Sequence, residues 1–275
     1  MSNVRITILS ENSTADPVFL TEHGLSLWIE CSDRRVLFDT GQSDQLVRNA
    51  EALGIDLSEA EAIVLSHGHY DHTGGLATVL NIAADARIYL HPAAVEAKYS
   101  RKADGARYIG MPDSARKAIE GRDVVWTAAA TEIVPGMIAT GEVPRSSSFE
   151  EVGGAFFLDE DCKEADQLAD DQSLFVESEK GLVVIAGCAH SGIVNTVDYV
   201  AELTGDKRMH AVFGGMHLLR AGEMRIARTI EAFKKYEIQK IVPLHCTGQA
   251  AVESFADAFA DACLSLGVGG RITFC

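Results

Sequence analysis

The sequence predicts an α/β fold: two mixed β-sheets packed face to face, with helices on the outer faces. Three observations point there. Short apolar runs rich in β-branched residues cluster early in the chain and later alternate with segments of helical spacing. Both halves run in the order strand, polar loop, helix, a structural echo without a sequence repeat. With 275 residues, 47% of them hydrophobic, the chain can bury a sizeable core as one large α/β domain or two small ones. Sheets that each need a covered apolar face satisfy one another in such a layered stack.

Taken in order, Val4 to Leu9 alternates and reads as a strand. Leu25 to Cys31 and Arg35 to Phe38 read as a hairpin turning at Ser32-Asp33, and the second strand ends in Asp39-Thr40-Gly41. A helix is expected from about Ser43 to Leu53, with Leu46, Val47, Ala50 and Leu53 on one face and Gly54 as its stop. Ala62 to Leu65 is a short apolar strand, and Ala86 to Leu90 another, ending in His91-Pro92. Residues 93–160 change character: Met111-Pro112, Val134-Pro135-Gly136 and Val143-Pro144 interrupt the periodicity. This segment reads as an insertion or cap within a single domain spanning 1–275. Gln172 to Glu177 and Leu182 to Ala186 form a second hairpin, and a helix with Val194, Val197, Val200 and Ala201 inward ends at Gly205. Ala211 to Phe213 is a strand, followed by a helix from about Gly222 to Tyr236 that should bury Ala227, Ile230 and Phe233. Lys240 to Leu244 is a strand, a last helix carries Val252, Phe255, Phe259, Cys263 and Leu266, and Arg271 to Phe274 closes the chain.

The most informative stretch lies between the strand at Ala62 and a helix begun by Leu76. It reads His67-Gly68-His69-Tyr70-Asp71-His72-Thr73-Gly74-Gly75, three histidines and an aspartate within six positions of a chain that has only 9 histidines. Residues two apart do not share a helix face, but at a strand end alternate side chains can enter one cavity. Neutral imidazole and carboxylate suit zinc, with manganese or iron as alternatives. Two further histidines, His190 in Gly-Cys-Ala-His-Ser-Gly and His245 in Pro-Leu-His-Cys-Thr-Gly, also stand between a strand and a helix. Their shared placement puts all three loops at one sheet edge and allows two metal ions: His67, His69 and His190 for one, Asp71, His72 and His245 for the other. Asp39 is either an ordinary turn residue or a carboxylate orienting a ligand histidine. His217 in Gly-Gly-Met-His-Leu is a candidate general acid or substrate-binding group. His23, His91 and His210 lack motif context and read as structural.

The pattern His-x-His-x-Asp-His resembles the metal signature of the metallo-β-lactamase superfamily. The resemblance implies an αββα sandwich over most of the chain outside the insertion, and it supports the two-metal partition. Members of that superfamily commonly add an aspartate that bridges both ions. The corresponding strand end here carries Cys188 together with His190, and the region before it reads Asp170-Asp171-Gln172, so Cys188, Asp171 or water alone are left as the bridge. The wording His-Gly-His-Tyr-Asp-His-Thr-Gly-Gly-Leu, Gly-Cys-Ala-His-Ser-Gly, Gly-Gly-Met-His-Leu and His-Cys-Thr-Gly looks like the branch containing the dihydropterin ribofuranosyl-aminobenzene phosphate synthases. The implied activity is a dinuclear metal-dependent hydrolase using metal-activated hydroxide, with Asp71 also handling its proton. The alternatives are a synthase-like transferase and a redox or non-catalytic di-metal protein. Flavodiiron proteins normally have glutamate where His69 stands, and carry a flavodoxin domain for which there is no room.

Charge bounds the partners. A net charge of −16 argues against a nucleic-acid surface, and no apolar stretch reaches membrane-spanning length. The N-terminus lacks the apolar segment of a signal peptide, and six scattered cysteines show no disulfide framework, so a reducing cytoplasm is expected. Residues 96–122 oppose the global charge, with Lys98, Arg101, Lys102, Arg107, Arg116, Lys117 and Arg122 against four acidic residues. If this segment caps the site, a small anionic substrate is expected, with Arg101 or Arg107 in contact with it.

Overall fold

A computed structural model describes residues 3–274; Met1 and Ser2 of the N-terminal reading and Cys275 of the cysteine count lie outside them. The first part of the chain forms β1 (Val4–Ser10), β2 (Ser26–Cys31), β3 (Arg34–Phe38), α1 (Gln45–Ala52), β4 (Ala62–Val64), the single turn α2 (Tyr70–Thr73), α3 (Leu76–Ile82) and β5 (Arg87–Leu90). There follow β6 (Tyr99–Lys102), β7 (Gly105–Tyr108), α4 (Asp113–Ile119), β8 (Val124–Trp126), β9 (Thr131–Val134), β10 (Met137–Ala139) and β11 (Phe156–Phe157). The last part forms β12 (Ser173–Ser178), β13 (Gly181–Ala186), α5 (Ile193–Thr204), β14 (Met209–Gly215), α6 (Glu223–Lys235), β15 (Lys240–Leu244), α7 (Gln249–Phe259) and β16 (Arg271–Phe274).

The strands make one sheet in the order β16-β1-β2-β3-β4-β5-β8, a second in the order β15-β14-β13-β12-β10-β9, and a small third, β11-β6-β7. The alternation within each strand explains the layers. Val4, Ile6, Ile8, Leu27, Ile29 and Phe38 of the first sheet pack on Val183, Ile185, Phe213 and Val242 of the second. The intervening residues face outward: Leu9, Trp28, Leu37 and Ile63 lie under α1, α3 and α4, and Val184, Val212 and Ile241 lie under α5, α6 and α7. Strands buried on both faces need apolar residues at nearly every position, which is why these segments read as continuous apolar runs. The result is the αββα sandwich.

Three expectations need correction. Only part of segment 93–160 stands apart: β8 pairs in parallel with β5, and β9 and β10 extend the second sheet through β12, so the cap reduces to β6, β7 and β11. The breakers hid these strands because each is three or four residues long, too short for a visible period. The phase of α6 also differs. Ile226, Thr229 and Phe233 are buried with Arg225, whereas Ala227 is exposed; an alanine carries too little surface to fix a helix's orientation. The last helix ends at Phe259, where Ala260 takes φ 47°, leaving Cys263 and Leu266 beyond it.

Candidate metal centre

Strands β3, β4 and β5 run parallel, as do β13, β14 and β15, and the loops leaving their carboxyl ends meet at one edge of the sandwich. Asp39 follows β3, His67 and His69 follow β4, Cys188 and His190 follow β13, His217 follows β14, and His245 follows β15. Asp39, Ala189, His217 and His245 adopt left-handed backbone, φ 60°, 53°, 45° and 52°. For non-glycine residues that conformation is costly and is retained where surrounding structure fixes it. Here it turns each chain sharply as it leaves its strand. Gly68 answers a different need: a Cβ there would lie 2.1 Å from the Ala94 carbonyl oxygen, so only glycine lets the loop run against residue 94.

His69 lies on extended backbone and His67 in the bend before it, but Asp71 and His72 sit on the helical turn α2. That turn brings two adjacent residues into the cluster, which simple alternation would not. Ligand nitrogens of His67, His69 and His190 all lie within 4.8 Å of one another, a set that could hold a metal ion. A second set forms around Asp71, whose Oδ2 is 3.1 Å from His23 Nε2, 3.4 Å from His245 Nε2 and 3.9 Å from His72 Nε2. Cys188 Sγ stands 3.2 Å from His72 Nε2. All six residues expected as ligands lie in one cluster; His67, His69 and His190 group as expected, whereas Asp71 and His245 group with His23, and His72 groups with His67 and Cys188 while lying 3.9 Å from Asp71.

The hydrogen bonds leave lone pairs aimed inward. His72 Nδ1 donates to Asp39 Oδ2 at 2.7 Å, His190 Nδ1 to the Val152 carbonyl at 3.0 Å, and His245 Nδ1 to Asn12 Oδ1 at 3.0 Å. Ser66 Oγ donates to Asp39 Oδ2 and so accepts from His67 Nδ1. In each of these four histidines Nε2 is left as an acceptor, the tautomer a metal needs. His69 Nε2 and His190 Nε2 are buried with no hydrogen-bond partner, a cost that a bound cation would remove. Burial, then His72 and His69, pushes His67 well below the usual imidazole range; burial takes His69 to about 3. Burial would raise Asp71, but His72, His23 and His245 hold it well below the carboxylate range. Against burial, Asp39 and Asp71 raise His72 to about 9, so His72 would release a proton on taking a metal; His67 and His69, neutral near an ionised Asp71, already have the protonation states of ligands, and the donor set fits divalent ions.

Asp39 therefore orients His72 and, through Ser66, His67. His23 is a correction: it was expected to be structural, yet it contacts Asp71, and its ring lies 4.8 Å from that of His245. No neighbouring motif marks it, because it reaches the site from the loop between β1 and β2. Asn12 and Glu11 arrive from the same loop, Glu11 Oε1 accepting from the His245 amide at 2.5 Å. Asp171 does not join a ligand group; its Oδ2 accepts from the Ser191 amide. His91 accepts from the Ala93 amide and His210 meets Ser178, both outside the site. His217 is inside it, its ring 4.2 Å from that of His190 and its Nδ1 buried without a partner.

His69, Asp71, His190 and His245 of the cluster line a cavity of about 210 Å³, with Arg101, Lys102, Arg107 and Phe156 of the cap on its wall. A larger depression of about 570 Å³, at Arg116 and Trp126, contains none of the ligand groups. The basic segment therefore divides. Arg122 binds backbone carbonyls of Leu80, Ala84 and Ala118. Lys98 is buried, its Nζ 2.9 Å from Asp170 and 3.0 Å from Asp166. Asp170 also accepts from the Gly68 amide at 2.7 Å, so this buried triad anchors the ligand loop. Lys98→Met should cost about 3–5 kcal/mol by stranding two buried carboxylates. A denaturant midpoint equal to wild type would refute that role.

Residues 21–201 match the family model of the metallo-β-lactamase superfamily. The chain is 31% identical, over 100% of its length and 98% of the relative's, to 7,8-dihydropterin-6-methyl-4-(β-D-ribofuranosyl)-aminobenzene-5'-phosphate synthase of Methanocaldococcus jannaschii. It is also similar to the structure of Tm1679, a metal-dependent hydrolase of the β-lactamase superfamily, at 34% identity and TM-score 0.83 with 98% of each chain covered. The fold alone is shared with YhfI of Bacillus subtilis, at 11% identity and TM-score 0.59, over 99% of this chain and 100% of that one.

Proposed function

The chain belongs to the metallo-β-lactamase superfamily, and on that premise we propose that it is a dinuclear metal-dependent hydrolase acting on a small anionic ester or phosphate. The observation carrying this reading is the pair of adjacent groups, His67-His69-His190 and Asp71 with His245 and His72, of which His69, His190, Asp71 and His245 line one cavity with cationic walls. Two divalent ions there, zinc being the first choice, would supply Lewis acidity and lower the pKa of a coordinated water. The remaining work belongs to the chain. Asp71 would help hold the second ion, and its carboxylate would take up the proton lost by the attacking water. His217, its ring 4.2 Å from that of His190, donates a proton to the leaving group. The cap excludes water, and its arginines orient the anionic group.

Metal analysis combined with a panel of thioester, lactone and phosphodiester substrates tests the proposal. Stoichiometric metal with turnover on one class is the expected result; protein that takes up no metal on reconstitution would end it. A second reading rests on the full-length similarity to the pterin-type synthase: the same site would serve a condensation that forms the compound in that relative's name. Formation of that product, with no hydrolysis across the panel, would favour it.

Arg107 lies over the Tyr70 ring at 5.7 Å and makes no ion pair, whereas Arg101 already donates to the Cys162 carbonyl and covers Phe157. Arg107→Ala should therefore raise KM for an anionic substrate about tenfold, the worth of one charge-assisted hydrogen bond, and Arg101→Ala less. Metal content should not change. Equal kinetics in the wild type and the double variant, on neutral and anionic substrates alike, would make the segment a surface loop.

A further inference from the structure

Beside the metal cavity lies a second one of about 380 Å³ that the proposed chemistry does not use. The two share Gly153, Gly154, Ala155 and Arg220, so they adjoin along one stretch of chain. Arg225, in the first turn of α6, lines the second cavity and is only 6% exposed. Its Nε and Nη2 are buried with no hydrogen-bond partner. Buried arginine donors are usually paired, since an unsatisfied charged donor forfeits its hydration with nothing in return. The obvious internal partner is engaged elsewhere: Glu150 accepts from the Val194 and Asn195 amides and from Ser147 Oγ. Glu151 lines the cavity as well and is the one carboxylate on its wall.

Two independent features make this a place for an anion. The cavity lies at the N-terminus of α6, a helix of 13 residues capped by Gly222 without a side-chain bond, where free amides and the helix dipole favour negative charge. Arg225 adds a planar fork of unmet donors, and Arg220 adds a second guanidinium at the exposed rim. Together they outweigh Glu151 and suit a dianion with several acceptor oxygens better than a carboxylate.

We propose that this cavity is a phosphate subsite, holding a phosphomonoester group of the substrate while the bond to be changed lies over the ligand clusters. The proposal rests on reading the adjoining pocket as the active site. It extends that reading by requiring a substrate with two ends, one reacting and one phosphorylated, joined across Gly153 to Ala155.

The test is calorimetric titration of the full-length, metal-loaded protein with phenylphosphonate, a non-hydrolysable phosphomonoester analogue, and with inorganic phosphate. Metal content is measured in parallel. Arg225→Gln should weaken phenylphosphonate binding at least tenfold, Arg225→Lys by less, and Arg220→Gln detectably, all with unchanged metal. Unaltered affinity in Arg225→Gln and Arg220→Gln would place the anion on the metals alone and overturn the proposal, as would a wild type that does not bind the probe. Equal affinity for phenylphosphonate and inorganic phosphate would assign the cavity to free phosphate and overturn the substrate assignment. Should Arg225→Gln fail to fold, Arg220→Gln on the exposed rim decides. Because binding is read directly, absence of turnover on the hydrolase panel would sink the functional reading alone. Turnover with no dependence of binding on either arginine would sink only the subsite.

Discussion

Replacing His67 by alanine is expected to remove the first metal ion and reduce turnover to background. His67 is fully buried, and its ligand nitrogen belongs both to the group with His69 and His190 and to a group with His72 and Cys188. His72, His190 and His245 are each fixed through Nδ1 by Asp39, the Val152 carbonyl and Asn12, so none of these three rings is free to move into its place. His69→Ala should behave alike. Asp39→Asn provides a graded comparison. It removes the charge that orients His72 and, through Ser66, His67, so affinity should fall about 10–100-fold while the ligands remain. Elemental analysis after reconstitution and gel filtration reads both effects. A His67→Ala protein that retains two ions per chain would refute the ligand assignment. Comparing its melting curve with that of chelated wild type separates loss of metal from loss of fold.

The ligand loop was legible because it is local: four of its side chains lie within six positions, at a strand-to-helix junction that the apolar pattern locates. His190 and His245 were legible for a related reason, since each follows a run of apolar residues that could only be a buried strand. His23 was not. It sits on the long β1–β2 connection, and what makes it part of the site is the fold of that loop over Asp71 rather than any spacing within it. Lys98 shows the opposite failure. Its charge placed it with the cap's arginines, but burial between Asp166 and Asp170 makes it an internal tie, and composition cannot separate a buried cation from an exposed one. Arg225 was hidden in the same way, as a polar residue on the inward face of a helix whose phase Ala227 misreported. The two sheets were legible from strand alternation, yet β8, β9 and β10 were not, because three or four residues give too few periods to stand out among prolines and glycines.

Asp71→Asn is expected to weaken the second metal and lower turnover by about 10²- to 10⁴-fold, the range for a positioned acid–base group. The substitution preserves shape and removes charge. Asp71 Oδ2 faces His23, His245 and His72, all within 3.9 Å, so the carboxylate sits among three imidazoles. Without it the second group keeps two histidines and loses the anion that draws a cation to them. The first group does not include Asp71, so one ion per chain should remain, and the variant should differ from His67→Ala in which ion is lost. An asparagine also cannot take up a proton, so restoring metal occupancy with excess ion should recover only part of the rate. Full recovery on saturation would reduce Asp71 to a ligand without a proton-transfer role. Near-wild-type turnover with two ions bound at ordinary concentration would remove it from the chemistry altogether.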